Sequence, residues 1–197
     1  MGKGDETRTA VLDQAVEVAR RVGLSGLTIG SLAERAELSK SGLFAHFRSK
    51  EALQLQVLEH ARSRFEEMVA RPALRGPRGE ARLRALFDRW LDWSAAPGGC
   101  PFVAAATEFD DRPGPVRDRL VLDQRDMFDM IATVFRTGVT EGQFRDDADP
   151  DQFAQDFYGV LLARHHTLRL LGDEQADPRA RHAFEALIAA ARVTRSD

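Results

Sequence analysis

The chain has 197 residues, 43% of them hydrophobic, and a net charge of only −3; this is enough apolar side chain for a real core and rules out a disordered chain. A single cysteine, Cys100, rules out an internal disulfide framework and any paired-cysteine metal knuckle. Ala and Leu together number 49 against 16 Val plus Ile, which favours helices over strands and predicts an all-α fold.

In the first predicted helix Val11, Ala15, Val18, Ala19 and Val22 recur at helical spacing, and Gly23 stops it. Thr28 is placed to cap a second helix, whose Ile29, Leu32, Ala33 and Ala36 form one stripe over barely two turns. Glu37-Leu38-Ser39 leaves room only for a tight turn. Ser39 caps a third helix carrying Leu43, Phe44 and Phe47, and Ser49 caps a fourth carrying Leu53, Val57 and Leu58. Two helices this short bury little alone, so they read as packed on the first helix in a trihelical unit. That is the helix-turn-helix arrangement, whose second helix enters the DNA major groove; the competing reading is an ordinary helical corner. Charge points the same way only weakly: residues 1–50 hold eight Lys/Arg and six Asp/Glu, residues 51–197 hold 20 and 25.

Residues 71–79, with two Pro and two Gly, mark a connector. Residues 80–95 carry Leu83, Leu86, Phe87, Trp90 and Leu91 at helical spacing, and Pro97-Gly98-Gly99-Cys100-Pro101 breaks the chain. A short helix with Phe102, Val103, Ala106 and Phe109 ends at the Asp110–Pro115 break. A long helix then runs to about Thr140, with Val116, Leu120, Met127, Ile131, Val134 and Phe135 facing one way. Asp149-Pro150 and Asp177-Pro178 each set a cap residue before a first-turn proline, opening final helices at about 151–171 and 178–195. No apolar run reaches the roughly 18 residues that a membrane span needs. The start, MGKGDETRTAVLDQ, lacks an apolar signal core, so a cytoplasmic protein without membrane contact is expected.

The stretch from Leu27 to Leu53 closely resembles the TetR family, the tetracycline-repressor-like bacterial transcriptional regulators. Its Thr28 cap, its short helix with Ile29 and Ala33, the turn ending in Ser39, Gly42, the aromatic Phe44, His46-Phe47 and Lys50-Glu51-x-Leu53 stand in the family's register, and Val11–Gly23 matches its first helix. The segments Gly99–Phe102 and Glu108–Pro113 resemble a stretch that recurs in one subgroup of the family. Phe44 departs from the pattern, because the family's usual Tyr carries a hydroxyl near a phosphate. Gly30, inside the second helix, costs about 1 kcal/mol against Ala. The resemblance implies a helix-turn-helix DNA-binding domain over 5–65, with its motif at about 28–47, and a regulatory ligand-binding and dimerisation bundle over 66–197.

Thr28, Ser39, Lys40, Ser41, Gly42, Phe44, His46 and Lys50 are the candidate DNA contacts. Short polar residues open the recognition helix, Gly42 lets its backbone come close, Ser41 and His46 can donate, and Lys50 can meet a phosphate from the flank. The plainer reading of the same residues is a solvated face with ordinary caps. Leu32, Ala36, Leu43 and Phe47 read as core, and Phe44 as either core or DNA-facing.

Thirteen of the 15 aromatics follow residue 64. The resemblance implies an effector pocket in this region, and Trp90, Phe109, Phe128, Phe135 and Phe157 are its candidate apolar lining, with Gln124, Arg164 and His165 as polar contacts. Each aromatic taken singly reads as core, and Arg164 or His165, on the stripe of Phe153, Phe157, Leu161 and Leu168, as a residue buried with a partner. The last two helices carry wide apolar faces, Phe153, Leu161 and Leu168 on one and Phe184, Leu187, Ile188 and Ala191 on the other, expected to form a four-helix dimer interface about a two-fold axis. His165-His166 are adjacent and point about 100° apart, the wrong spacing for one metal. Cys100 before Pro101 reads as a quiet, half-buried thiol or as one activated by a helix start. With no nucleophile elbow, phosphate loop or metal box, neither enzyme nor cofactor is expected. The function expected is a ligand-responsive regulator, a repressor that binds a palindromic operator as a homodimer and is released by a small, mostly apolar effector. Its rivals are a helical protein-interaction module and a small-molecule-binding protein without an operator.

Overall fold

The computed structural model describes residues 3–36, 43 and 47–193, and the side chains of 8–34, 43 and 47–193. The described helices are α1 (Lys3–Gly26), α2 (Ile29–Ala36), α3 (Lys50–Phe65), α4 (Arg71–Leu74), α5 (Glu80–Ser94), α6 (Pro101–Phe109), α7 (Pro115–Thr140), α8 (Pro150–Arg169) and α9 (Ala176–Ala191), with a π-helical turn at Glu66–Ala70. Among the described residues the only β pairing is an isolated bridge between Phe144 and Arg192, so the fold is all-α as expected. No described helix is long and apolar enough to cross a membrane. By contact the chain forms two compact units: Met1–Phe65 with Ala96–Asp123, and Glu66–Ala95 with Gln124–Asp197.

In the first unit, local signals set the helix ends. Gly23 adopts φ +78 and breaks the helical path of α1, a conformation that costs any residue with a Cβ. Thr28 and Ser31 cap α2 reciprocally: the Ser31 amide donates to Thr28 Oγ1 at 3.0 Å and the Thr28 amide to Ser31 Oγ at 3.0 Å. Ser49 Oγ accepts from the Ala52 amide at 3.0 Å and caps α3. The core of this unit buries Ala15, Leu27, Leu32, Leu43, Phe47, Leu53 and Ala61. Asp123, buried on α7, takes Arg62 of α3 at 2.7 Å and Arg119 at 3.0 Å, so its charge is matched rather than stranded.

In the second unit, helix persists into the connector expected at 71–79, and the break falls only after Leu74. Pro72 is tolerated because it opens the short α4, where its missing N–H needs no partner. Asp149 caps α8 as expected, accepting from the Asp151 and Gln152 amides at 2.9 and 3.3 Å. Asp177 does not cap α9. That helix begins at Ala176, and the Asp177 carboxylate instead takes the Arg164 guanidinium at 2.6 Å. The core here is aromatic. Phe87 stacks on Phe184 with centroids 4.1 Å apart, and Phe135 on Phe144 at 4.6 Å. Gly138 makes the second stack possible, since a Cβ there would lie 2.5 Å from the Phe144 ring. Glu80, partly buried, accepts from Arg192 at 2.5 Å and Arg84 at 2.7 Å, and these hydrogen bonds, that of Arg192 foremost, hold its carboxyl below the usual range.

Candidate nucleic-acid interface and ligand site

Ser39, Lys40, Ser41, Gly42, Phe44 and His46 lie outside the described residues, as does the side chain of Ala36. Around them, Leu32, Leu43 and Phe47 are at most 1% exposed, so they are core. Thr28 is exposed and its hydroxyl is committed to the α2 cap. Lys50 is exposed at the start of α3, and its Nζ donates to the Ser25 carbonyl at 2.5 Å. An ammonium has three N–H donors, so this bond positions the charge and leaves two donors for a phosphate. Arg48 is a residue that the sequence reading does not single out. It is exposed between the buried Phe47 and the Ser49 cap, with φ 53, a left-handed conformation that is costly for a residue with a Cβ and recurs at functional sites. The only sequence signal was its place between a core residue and a helix cap.

The ligand candidates do not all come together. Phe109 belongs to the first unit, where it is buried with the Arg112 guanidinium over its ring at 5.7 Å. Trp90, Phe135 and Phe157 are at most 1% exposed in the second unit. Their rings meet other rings: Trp90 meets Phe157 at 6.3 Å and Tyr158 at 6.0 Å, and Phe135 meets Phe153 at 4.3 Å. Gln124 Nε2 is buried without a hydrogen-bond partner among the described residues. Phe128, in contact with Tyr158 at 5.2 Å, is partly exposed and lines an open, mostly apolar groove of about 920 Å³. This groove follows α8 and α9, where Gly159, Ala163, Ala180 and Ala183 leave room, with Leu187 beside them. Arg164 also lines it, buried and paired with Asp177.

The dimerisation candidates divide. Phe153, Leu161, Phe184, Ile188 and Ala191 are at most 5% exposed within their own unit, and so have almost no surface left for a second chain. Leu168 and Leu187 remain partly exposed. The surface these two helices do present includes Gly159, Leu162, Ala163, Ala183 and Leu187 along the groove.

His165 is half-buried, and burial, then Arg169, Arg164 and His166, pushes its pKa below the usual value. A depressed histidine is neutral when folded, while the unfolded chain takes the proton first. Its contribution is therefore complete above about pH 6.5 and is lost as pH falls through the folded value. The melting temperature is expected to drop as pH is lowered from 7 to 5, and His165→Gln to flatten that drop. A variant with the wild-type pH profile would contradict this.

The family model described as "Bacterial regulatory proteins, tetR family" matches residues 11–57. The one described as "Tetracyclin repressor-like, C-terminal domain" matches residues 79–184. Similar solved structures include a TetR-family transcriptional regulator from Cytophaga hutchinsonii, with a TM-score of 0.87 and 20% identity over 99% of each chain. A TetR transcriptional regulator from Chloroflexus aurantiacus gives 0.84 and 28% over 98% of this chain and 100% of that one. AibR, solved in complex with isovaleryl coenzyme A and operator DNA, gives 0.71 and 19% over 93% of this chain and 96% of that one. No curated protein matches the chain. The second family match alone spans more than half of the 197 residues and the first falls on the helix-turn-helix segment, so the chain belongs to the TetR family of bacterial transcriptional regulators, which are DNA-binding proteins and not enzymes.

Proposed function

We propose that this protein is a cytoplasmic repressor that binds a palindromic operator as a homodimer and releases it when a small, mostly apolar effector binds. Residues 5–65 carry the helix-turn-helix domain, and 66–197 bind the effector and dimerise. The observation that carries the reading is the head itself: a reciprocally capped α2, buried Leu32, Leu43 and Phe47, and an exposed Lys50 held by Ser25 at the start of α3. Ser39, Lys40, Ser41, Gly42 and His46 are the groove and phosphate contacts in this reading. AibR, of the same fold, is solved with both an acyl coenzyme A and operator DNA, which supports one chain serving both ligands. The exposed α8–α9 face supplies the dimer contact, because small residues there let two helix pairs approach closely. The effector is proposed to meet Phe128, Gln124 and His165, the first two being a partly exposed aromatic and a buried amide with an unused donor.

Phosphate contacts release counterions, so log affinity for DNA is expected to fall linearly with log salt. Lys50→Ala is expected to weaken binding to operator and scrambled DNA both and to flatten that slope by about one unit per protomer. Fluorescence anisotropy on operator and on scrambled DNA across a salt series checks this. An unchanged slope would take Lys50 off the phosphate backbone, and a wild-type chain with no salt-dependent DNA binding would overturn the reading.

A further inference from the structure

In the first unit α6 is fastened to α1 at both ends. Before α6, Gly98 has φ +98 and sits so close to α1 that a Cβ would lie 2.3 Å from the Arg20 carbonyl oxygen. Arg20, itself buried, donates from Nη1 to the Gly99 carbonyl. At the far end, Glu108 Oε2 accepts from the Ser25 amide at 2.7 Å. Gly23 makes the space for that carboxylate, since a Cβ there would lie 2.0 Å from Glu108 Oε1. Arg112 donates from Nη1 to Ser25 Oγ at 2.9 Å.

The same short segment is also gripped from α3. Gln54, buried, donates from Nε2 to the Leu24 carbonyl at 2.8 Å, and Lys50 Nζ donates to the Ser25 carbonyl at 2.5 Å. The helix break at Gly23 leaves backbone groups of Leu24 and Ser25 to be satisfied from outside α1. They are satisfied by α3 on one side and by α6 on the other. An exposed loop would have met water instead.

We propose that Glu108 is a positioning residue for operator binding, holding the Gly23–Ser25 hook in the shape on which Lys50 and Gln54 seat α3 against α1. It touches no DNA. It acts through the hook: without the carboxylate, the Ser25 amide loses its acceptor and the segment that Lys50 grips is free to shift. This rests on the operator-binding reading above.

Operator affinity by anisotropy, well below the melting temperature, tests it, with scrambled DNA and thermal melting as parallel readouts. Glu108→Ala is expected to lose about tenfold to a hundredfold in operator affinity, the size of one charge-assisted hydrogen bond. Scrambled DNA, which needs only charge, is expected to change by less than about threefold. Glu108→Gln keeps an oxygen for the Ser25 amide and is expected to restore most of the affinity. Gly23→Ala displaces the carboxylate, so it is expected to lose operator affinity too, and the double variant to lose less than the product of the two, because both break one contact. The exposed Arg112→Ala is expected to weaken operator binding through Ser25 Oγ with the fold intact. If Glu108→Ala and Arg112→Ala lower only the melting temperature, or if the Glu108 and Gly23 effects multiply, the positioning role is overturned. A wild-type chain that binds operator while these variants do so equally well sinks this inference alone. A wild-type chain that binds no operator sinks the reading beneath it as well.

Discussion

Leu187→Glu is expected to convert the proposed dimer into a monomer at micromolar concentration and to cost operator binding about 10²–10⁴-fold, the gain that a second tethered half-site provides. Leu187 is partly exposed on α9 and lines the groove along α8 and α9. Across a two-fold axis one substitution enters twice, so the interface would bury two unpaired carboxylates among Gly159, Ala163 and Ala183. Removing water from an unpaired charge costs several kcal/mol, about 3–5. The fold of the protomer is expected to survive, because Leu187 is not part of the sealed interior. Sedimentation reads the assembly and anisotropy reads the DNA. An unaltered dimer with unaltered affinity would place the interface elsewhere.

Phe157→Ala is expected to cost about 3–5 kcal/mol of stability, the range for truncating a fully buried aromatic. Phe157 is 0% exposed and sits among four rings: Phe184 at 5.6 Å, Phe87 at 5.8 Å, Trp90 at 6.3 Å and Phe153 at 6.4 Å. For a chain of this length each kcal/mol moves the melting temperature by about 2–4 °C, so a drop of roughly 6–20 °C follows. The same experiment separates core from pocket lining. A ring facing an empty cavity loses few contacts when removed, whereas one packed on four rings loses many. A shift under about 2 °C would mean that Phe157 faces a cavity, and the account of this core would be wrong.

Helix ends were legible because their causes are local. Gly23, Thr28, Ser49 and Asp149 each end or start a helix through groups a few residues away. Asp177 misled for the same reason: an acid before a proline fits a cap equally well whether its carboxylate turns to its own amides or, as here, to Arg164. Periodicity showed that α8 and α9 have apolar faces but not what covers them. Phe184 meets Phe87, a residue far away in sequence, so most of a stripe first read as surface for a second chain is interior, and Leu168 and Leu187 are what stays partly exposed. Glu108 stood in a segment that resembled a family subgroup, and its partners Gly23 and Ser25 lie more than 80 positions earlier. No window along the chain spans that contact.

The most direct test of an operator-binding dimer is footprinting of the genomic DNA that the purified protein retains at physiological salt. The expected result is one inverted repeat with two protected half-sites, centred about one helical turn or a multiple of it apart, as a two-fold pair of helix-turn-helix units requires. Retention of no fragment above scrambled sequence, or protection of a single unrepeated site, would contradict it.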